Sequence, residues 1–194
     1  MRYYIFNSKK SLTQNRLIFD KSYVFKVLEN FHFLILIIFP FSLSIGFLLV
    51  QLHVKNSILL PLSVICLFIS AFIARLIIIQ IKKSYKFRKT TGVDKEINMK
   101  LVEDICLTNK WKILASDNHS HVIKIENTQI GYHTGRELFI MYQDTDIFLR
   151  CLTYGTYDIV HPFHWISQRE IEDSLVQNLK IKWLSHTDKL NSPG

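Results

Sequence analysis

The chain has 194 residues, a formal net charge of +8, 48% hydrophobic residues and a mean hydropathy of +0.15, which is too apolar for a disordered tail. The net charge divides into +4 over residues 1–32, +2 over 33–81, +4 over 82–96 and −2 over 97–194, so the cations bracket an apolar stretch and the C-terminal half is mildly acidic. A nucleic-acid binder needs its positive charge on the folded domain that does the binding, so no nucleic-acid partner is expected.

Residues 3–6 and 16–19 are short β-favouring runs separated by a polar stretch, which predicts a β-hairpin. From Asp20 onward Val24, Leu28 and Phe31 recur at helical spacing with Lys21 and Lys26 among them, which predicts a short interfacial helix completing a cytoplasmic N-terminal segment over residues 1–30. Aromatics beside cations either anchor the chain to anionic lipid, at up to ~1 kcal/mol per basic residue, or simply satisfy the retention of positive charge inside. The first 32 residues carry no early apolar run or small-residue cleavage site, so no signal peptide is expected.

Residues 33–52 run for 20 positions without a charge, and residues 58–74 for a further 17 before Arg75, with 76–81 apolar again. Each run can cross a hydrocarbon core of ~30 Å at ~1.5 Å per residue, and the short connection between them predicts an antiparallel transmembrane hairpin over residues 31–82. The alternative, two helices buried in a soluble core, asks a small chain to cover two helices that are apolar all round. Ser42 and Gly46 on the first helix, and Ser70 and Ala74 on the second, have the small-xxx-small spacing that lets backbones approach in lipid; the same hairpin is the expected route to any homo-oligomer. Pro40 lies inside the first span, where it predicts a kink, and Pro61 in the first turn of the second; Arg75 reaches the headgroups by snorkelling. Arg2, Lys9, Lys10, Arg16, Lys21 and Lys26 precede the spans, and the membrane-interface cations Lys82, Lys83, Lys86, Arg88 and Lys89 follow them, against Lys55 alone between. Both termini are therefore expected in the cytoplasm, in a multi-pass protein of the cell membrane. The three cysteines show no paired spacing, which suits a reducing compartment.

After a Thr90-Thr91-Gly92 break, residues 93–185 predict a small cytoplasmic domain. Asp94 can cap a helix in which Ile97, Leu101 and Ile105 repeat, ending near Asn109. Residues 111–115, 121–126, 137–142 and 147–153 then read as four antiparallel strands around polar turns. Ser167 and Glu170 form a capping box before a closing helix through Ile171, Leu175 and Leu179, ending near Leu184 and leaving 186–194 as a flexible tail. The expected fold class is α+β: a two-helix transmembrane hairpin followed by four antiparallel strands flanked by two helices, both on one face of the sheet.

The runs Asn109-Lys110-Trp111-Lys112-Ile113-Leu114, Gly135-Arg136-Glu137-Leu138-Phe139-Ile140 and Asp146-Ile147-Phe148-Leu149-Arg150-Cys151-Leu152 resemble a small uncharacterised bacterial α+β domain with a Trp-bearing first strand, a Gly before the third strand and a closing helix. The resemblance covers about 75 residues, 109–183, with Thr134 where that domain places a Trp before the glycine. It implies the strand order and carries over no catalytic residue.

Five of the eight histidines fall between 119 and 164. His161-Pro162-Phe163-His164 has a metal-like spacing that Cys151 could join, but Pro162 breaks the helical face such a pair requires, and no second ligand pair stands at zinc-site spacing, so neither metal nor cofactor is expected. His119 and His121 flank a turn and read as surface residues; Asp144 and Asp146 read as turn formers rather than an acid/base pair. A metal-dependent nuclease is excluded because no Lys stands two residues after Glu126, and the phosphate-loop, dinucleotide, hydrolase-elbow and zincin motifs are absent from the sequence. The aromatic and histidine-rich run 154–165 supplies a candidate partner or ligand surface: Tyr154, Tyr157, His161, His164 and Trp165. The expected function is thus a non-enzymatic membrane protein presenting a binding or scaffolding domain to a protein or small-molecule partner. The alternative is a two-span effector whose hairpin oligomerises and perturbs the membrane when the domain senses a signal.

Overall fold

The computed structural model describes residues 4–54, 59–125, 135–155, 159–160 and 164–191. The element order is β1 (Tyr4–Phe6), α1 (Ser8–Gln14), β2 (Phe19–Lys21), α2 (Tyr23–Val54), α3 (Leu59–Ser84), β3 (Arg88–Thr91), α4 (Lys95–Thr108), β4 (Lys112–Asp117), β5 (Ser120–Ile125), β6 (Gly135–Gln143), β7 (Asp146–Tyr154) and α5 (Trp165–Asn191). These form two compact units: Met1–Asp20 with Ser84–Gly194, and Lys21–Lys83.

The first unit is α+β, built on a five-stranded antiparallel sheet ordered β3-β7-β6-β5-β4. The sequence reading anticipated four strands; β3 is the addition. It pairs Arg88–Thr91 against Leu149–Asp146, so residues expected to link membrane and domain form an edge strand. Alternation along the strands sends Ile123, Ile125, Leu138, Ile140, Tyr142, Ile147, Leu149 and Cys151 to one face, where Val102, Ile105 and Cys106 of α4 and Leu175, Val176 and Leu179 of α5 close a single core. Both helices lie on that face, as expected.

The opposite face is not left to solvent. Phe139 is buried there, with its ring centroid 5.2 Å from Phe6 and 5.3 Å from Phe19. The N-terminal segment therefore covers the second side of the sheet, which explains why β6 is buried at successive positions from Glu137 to Tyr142 instead of alternating. β1 and β2 pair as a two-stranded sheet, but the expected hairpin is replaced by a strand-helix-strand unit, because Asn7 caps the intervening α1 by accepting from Lys10 N–H at 3.1 Å. Buried Ser11 accepts from Ile18 N–H at 2.8 Å and fixes the return of the chain.

Three expectations about helix ends are corrected. Asp94 stands at the N-cap of α4 without a side-chain cap bond; buried Asn98 holds that entry instead, accepting from Val93 N–H at 3.3 Å and donating to its carbonyl at 2.5 Å. The closing helix starts at Trp165, so Ser167 lies inside it and donates to the His164 carbonyl. It continues to Asn191, past the expected end at Leu184 and into the expected tail.

The second unit is a helix pair. The expected interfacial helix and first span are one continuous helix, α2, which runs without interruption through Pro40. Both helices are long and apolar enough to cross a membrane, and they direct Phe39, Phe68 and Phe72 outward at 63%, 69% and 61% exposure. Between them, the hydroxyls of buried Ser44 and Ser70 lie 2.9 Å apart, and Ser70 Oγ is 2.8 Å from the Pro40 carbonyl. Ser70 and Ala74 are buried as their spacing suggested, whereas Ser42 and Gly46 are exposed and Ser44 takes the contact. At the start of α2, buried Glu29 receives Lys21 Nζ at 2.7 and 2.5 Å.

Candidate functional site

Two tight turns and two helix starts define a cleft in the α+β unit. The β4–β5 turn contributes Asp117, Asn118 and His119; the end of β6 and its turn contribute Tyr142, Gln143 and Asp144; α1 supplies Ser8, Lys9 and Leu12, and Lys95 opens α4. The turns form for local reasons: Asp117 Oδ1 accepts the His119 N–H at 2.7 Å, and Asp144 adopts a left-handed φ of 52° that its short polar side chain tolerates. The volume, about 700 Å³, falls in the range of small-molecule sites.

Tyr142 joins this cleft to a buried polar network. Its hydroxyl is 2.9 Å from His121 Nδ1, and His121 Nε2 is 3.3 Å from Glu103 Oε1 on α4. A carboxylate only accepts, so in the neutral ring Nε2 carries the proton and donates to Glu103, leaving Nδ1 to accept the Tyr142 O–H. His121 and Tyr142 are almost fully buried, and Glu103 remains about half exposed. Burial holds the Tyr142 hydroxyl well above the ordinary phenol range, with Cys106 and Glu103 adding to the effect. The neighbouring Cys106 thiol is pushed up to about 11, by burial first and Glu103 second. This arrangement keeps protons on Tyr142 and Cys106.

His121 was expected at the surface. It is instead a core residue on the helix-facing side of β5, and its position in step with Ile123 and Ile125 was the signal that could have placed it. His119, two residues earlier, is exposed. Asp146 is engaged by Lys89 and Thr91, whose hydrogen bonds hold its carboxyl below the usual range.

Of the candidate surface read from residues 154–165, the structure describes the side chains of Tyr154 and His164. Tyr154 is buried at the end of β7, and His164 is half-buried at the start of α5, where its carbonyl accepts from Ser167. Tyr157, His161 and the side chain of Trp165 lie outside the described residues. The cations expected at a membrane interface divide. Lys82, Lys83 and Lys86 are exposed, but Arg88 pairs with Asp173, and Lys89 pairs with Asp146 at 2.7 Å. Nearby, Glu172 is buried against β7 and accepts the Cys151 N–H at 2.9 Å, because β3 is too short to pair with that position. Burial raises the Glu172 carboxyl despite the opposing pull of Arg150. Among the described residues no cluster of three His, Cys, Asp or Glu is placed to hold a metal ion.

No protein-family model, curated protein or solved structure matches the chain.

Proposed function

We propose that the chain is an integral membrane protein whose α2–α3 hairpin spans the lipid with both termini in the cytoplasm, and whose α+β unit is a non-enzymatic binding module taking a ligand at the Tyr142 cleft. The observation that carries the membrane reading is the outward presentation of large apolar side chains along both helices, including Phe39, Phe68 and Phe72. Only lipid or another apolar partner relieves that exposure. The distribution of cations supports the orientation.

The binding reading is supported by a preformed cleft and by the chemistry beneath it. Tyr142 and Cys106 hold their protons, the reverse of what a nucleophile or general base needs near neutral pH. The test is tryptophan fluorescence of the detergent-solubilised chain titrated with a small-molecule library, with Tyr142→Phe and Asn118→Ala as controls. A ligand of the cleft loses affinity in both variants while their thermal unfolding with ligand absent still shows one cooperative transition.

One observation favours a second role for the same module. The α1 wall of the cleft belongs to the segment that runs through β2 into α2 with Ser22 alone between the two elements. α1 and α2 are thus joined by a short stretch of chain, the kind of link a signal-gated membrane effector requires. Depolarisation of a potential-sensitive dye upon expression, abolished by substitutions in the cleft, identifies that role; an unchanged potential with intact insertion rules it out.

A further inference from the structure

An isolated antiparallel bridge joins Arg16 to Lys86, closed beside it by a 2.7 Å bond from Leu17 N–H to the Tyr85 carbonyl. The flanking residues Leu17 and Phe87 are buried while Arg16 and Lys86 are exposed, so both cations emerge on the outer side of the bridge. Directly opposed residues on antiparallel backbones have their Cβ atoms ~4.5–5.5 Å apart, and like charges at that spacing repel. Three carboxylates of the same unit are engaged by other groups: Asp173 by Arg88, Asp146 by Lys89 and Thr91, and Glu172 by Arg150 and the Cys151 amide. Among the described residues neither Arg16 nor Lys86 has an ion pair.

We infer that Arg16 and Lys86 form a binding site for the phosphate of an anionic phospholipid headgroup. An anion lying across the pair converts repulsion into attraction, and a guanidinium beside an ammonium offers a forked donor and a point charge to phosphate oxygens. The choice of lipid over a soluble phosphate rests on the membrane reading above. Lys86 follows the end of α3 at Ser84 by two residues along the chain, which on the membrane reading leaves it within reach of the headgroups, and inside the α+β unit Arg150 Nε donates to the Ser84 carbonyl at 2.7 Å. Sequence alone separates these two cations by 70 positions; the bridge brings them together.

The test uses the full chain reconstituted in nanodiscs containing equal phosphatidylglycerol and phosphatidylcholine, with co-purifying lipid measured after detergent extraction. Wild type and a Lys100→Gln control retain phosphatidylglycerol preferentially, and Arg16→Gln/Lys86→Gln loses that preference on the order of tenfold. Inorganic phosphate at millimolar concentration leaves the bound lipid in place. Retention of the preference by the double variant overturns the inference, as does displacement by inorganic phosphate, which would assign the pair to a soluble anion. Carbonate extraction run in parallel separates this from the membrane reading. Protein that stays in the pellet without a lipid preference refutes the headgroup site alone, and wild type released to the supernatant refutes both.

Discussion

His121 Nδ1 lies 2.9 Å from the Tyr142 hydroxyl, which fixes the orientation of a buried imidazole whose other nitrogen meets Glu103. Tyr142→Phe leaves Nδ1 buried without its donor and is expected to cost ~1–3 kcal/mol in urea unfolding. His121→Leu removes both bonds together. Combined with Tyr142→Phe, its effect should fall short of the sum by at least ~0.5 kcal/mol, since both changes break one bond. Strict additivity would show that the two residues do not act as a pair.

The N-terminal segment is expected to behave as part of the α+β unit. Phe139→Ala removes the ring against which Phe6 and Phe19 pack, and should cost ~3–5 kcal/mol. It should also open residues 4–20 to limited proteolysis, with cleavage appearing there before it appears in α4 or α5. A protease pattern unchanged from wild type would detach the segment from the sheet.

Cys106 and Cys151 are both buried, and burial raises both thiols. At about pH 8 neither should react with iodoacetamide in the folded chain, and both should react in urea. The linkage has a definite sign. The folded Cys106 thiol keeps its proton up to about 11, whereas the ordinary value is 9.0, so its contribution to stability is complete below 9.0 and is lost as pH rises toward 11. Cys106→Ala should flatten the fall in unfolding midpoint across that window; an unchanged slope would exclude Cys106 as its source.

Gly92 and Asn98 meet at Trp183. The indole N–H donates to Asn98 Oδ1 at 2.9 Å, and a Cβ at position 92 would run into both side chains. Asn98→Ala leaves the Val93 backbone and the indole without their partner and should cost ~2–4 kcal/mol. Gly92→Ala should destabilise by displacing the indole, seen as a shift in Trp fluorescence. An emission spectrum identical to wild type would contradict the contact.

Much of the fold was written in local patterns. The two apolar runs, the Asp- and Asn-rich turns between β4 and β5 and between β6 and β7, and the apolar spacing of α4 and α5 each follow from neighbouring residues alone. β3 was hidden because Arg-Lys-Thr-Thr shows no apolar alternation; its charged side chains are matched by Asp173 and Asp146 from distant elements. α1 was hidden because its sequence is polar and Ser11 is its buried residue. The packing of Phe6 and Phe19 on Phe139 is a contact between residues more than a hundred positions apart, which no local period encodes. The cleft suffered the same way. His119 and Asp144 were visible as turn residues, but their meeting with α1 depends on that long-range packing, and Glu103 was concealed on a helix whose inward positions are otherwise mainly apolar.

The central claim is that α2 and α3 cross lipid with the α+β unit inside, and site-directed labelling tests it most directly. Intact cells carrying Lys55→Cys or Ser185→Cys are treated with a membrane-impermeant maleimide, and carbonate extraction follows. The account predicts pelleted protein, labelling at position 55 from outside, and labelling at position 185 only after lysis. Labelling at 185 in intact cells, or release of the chain by carbonate, would contradict it.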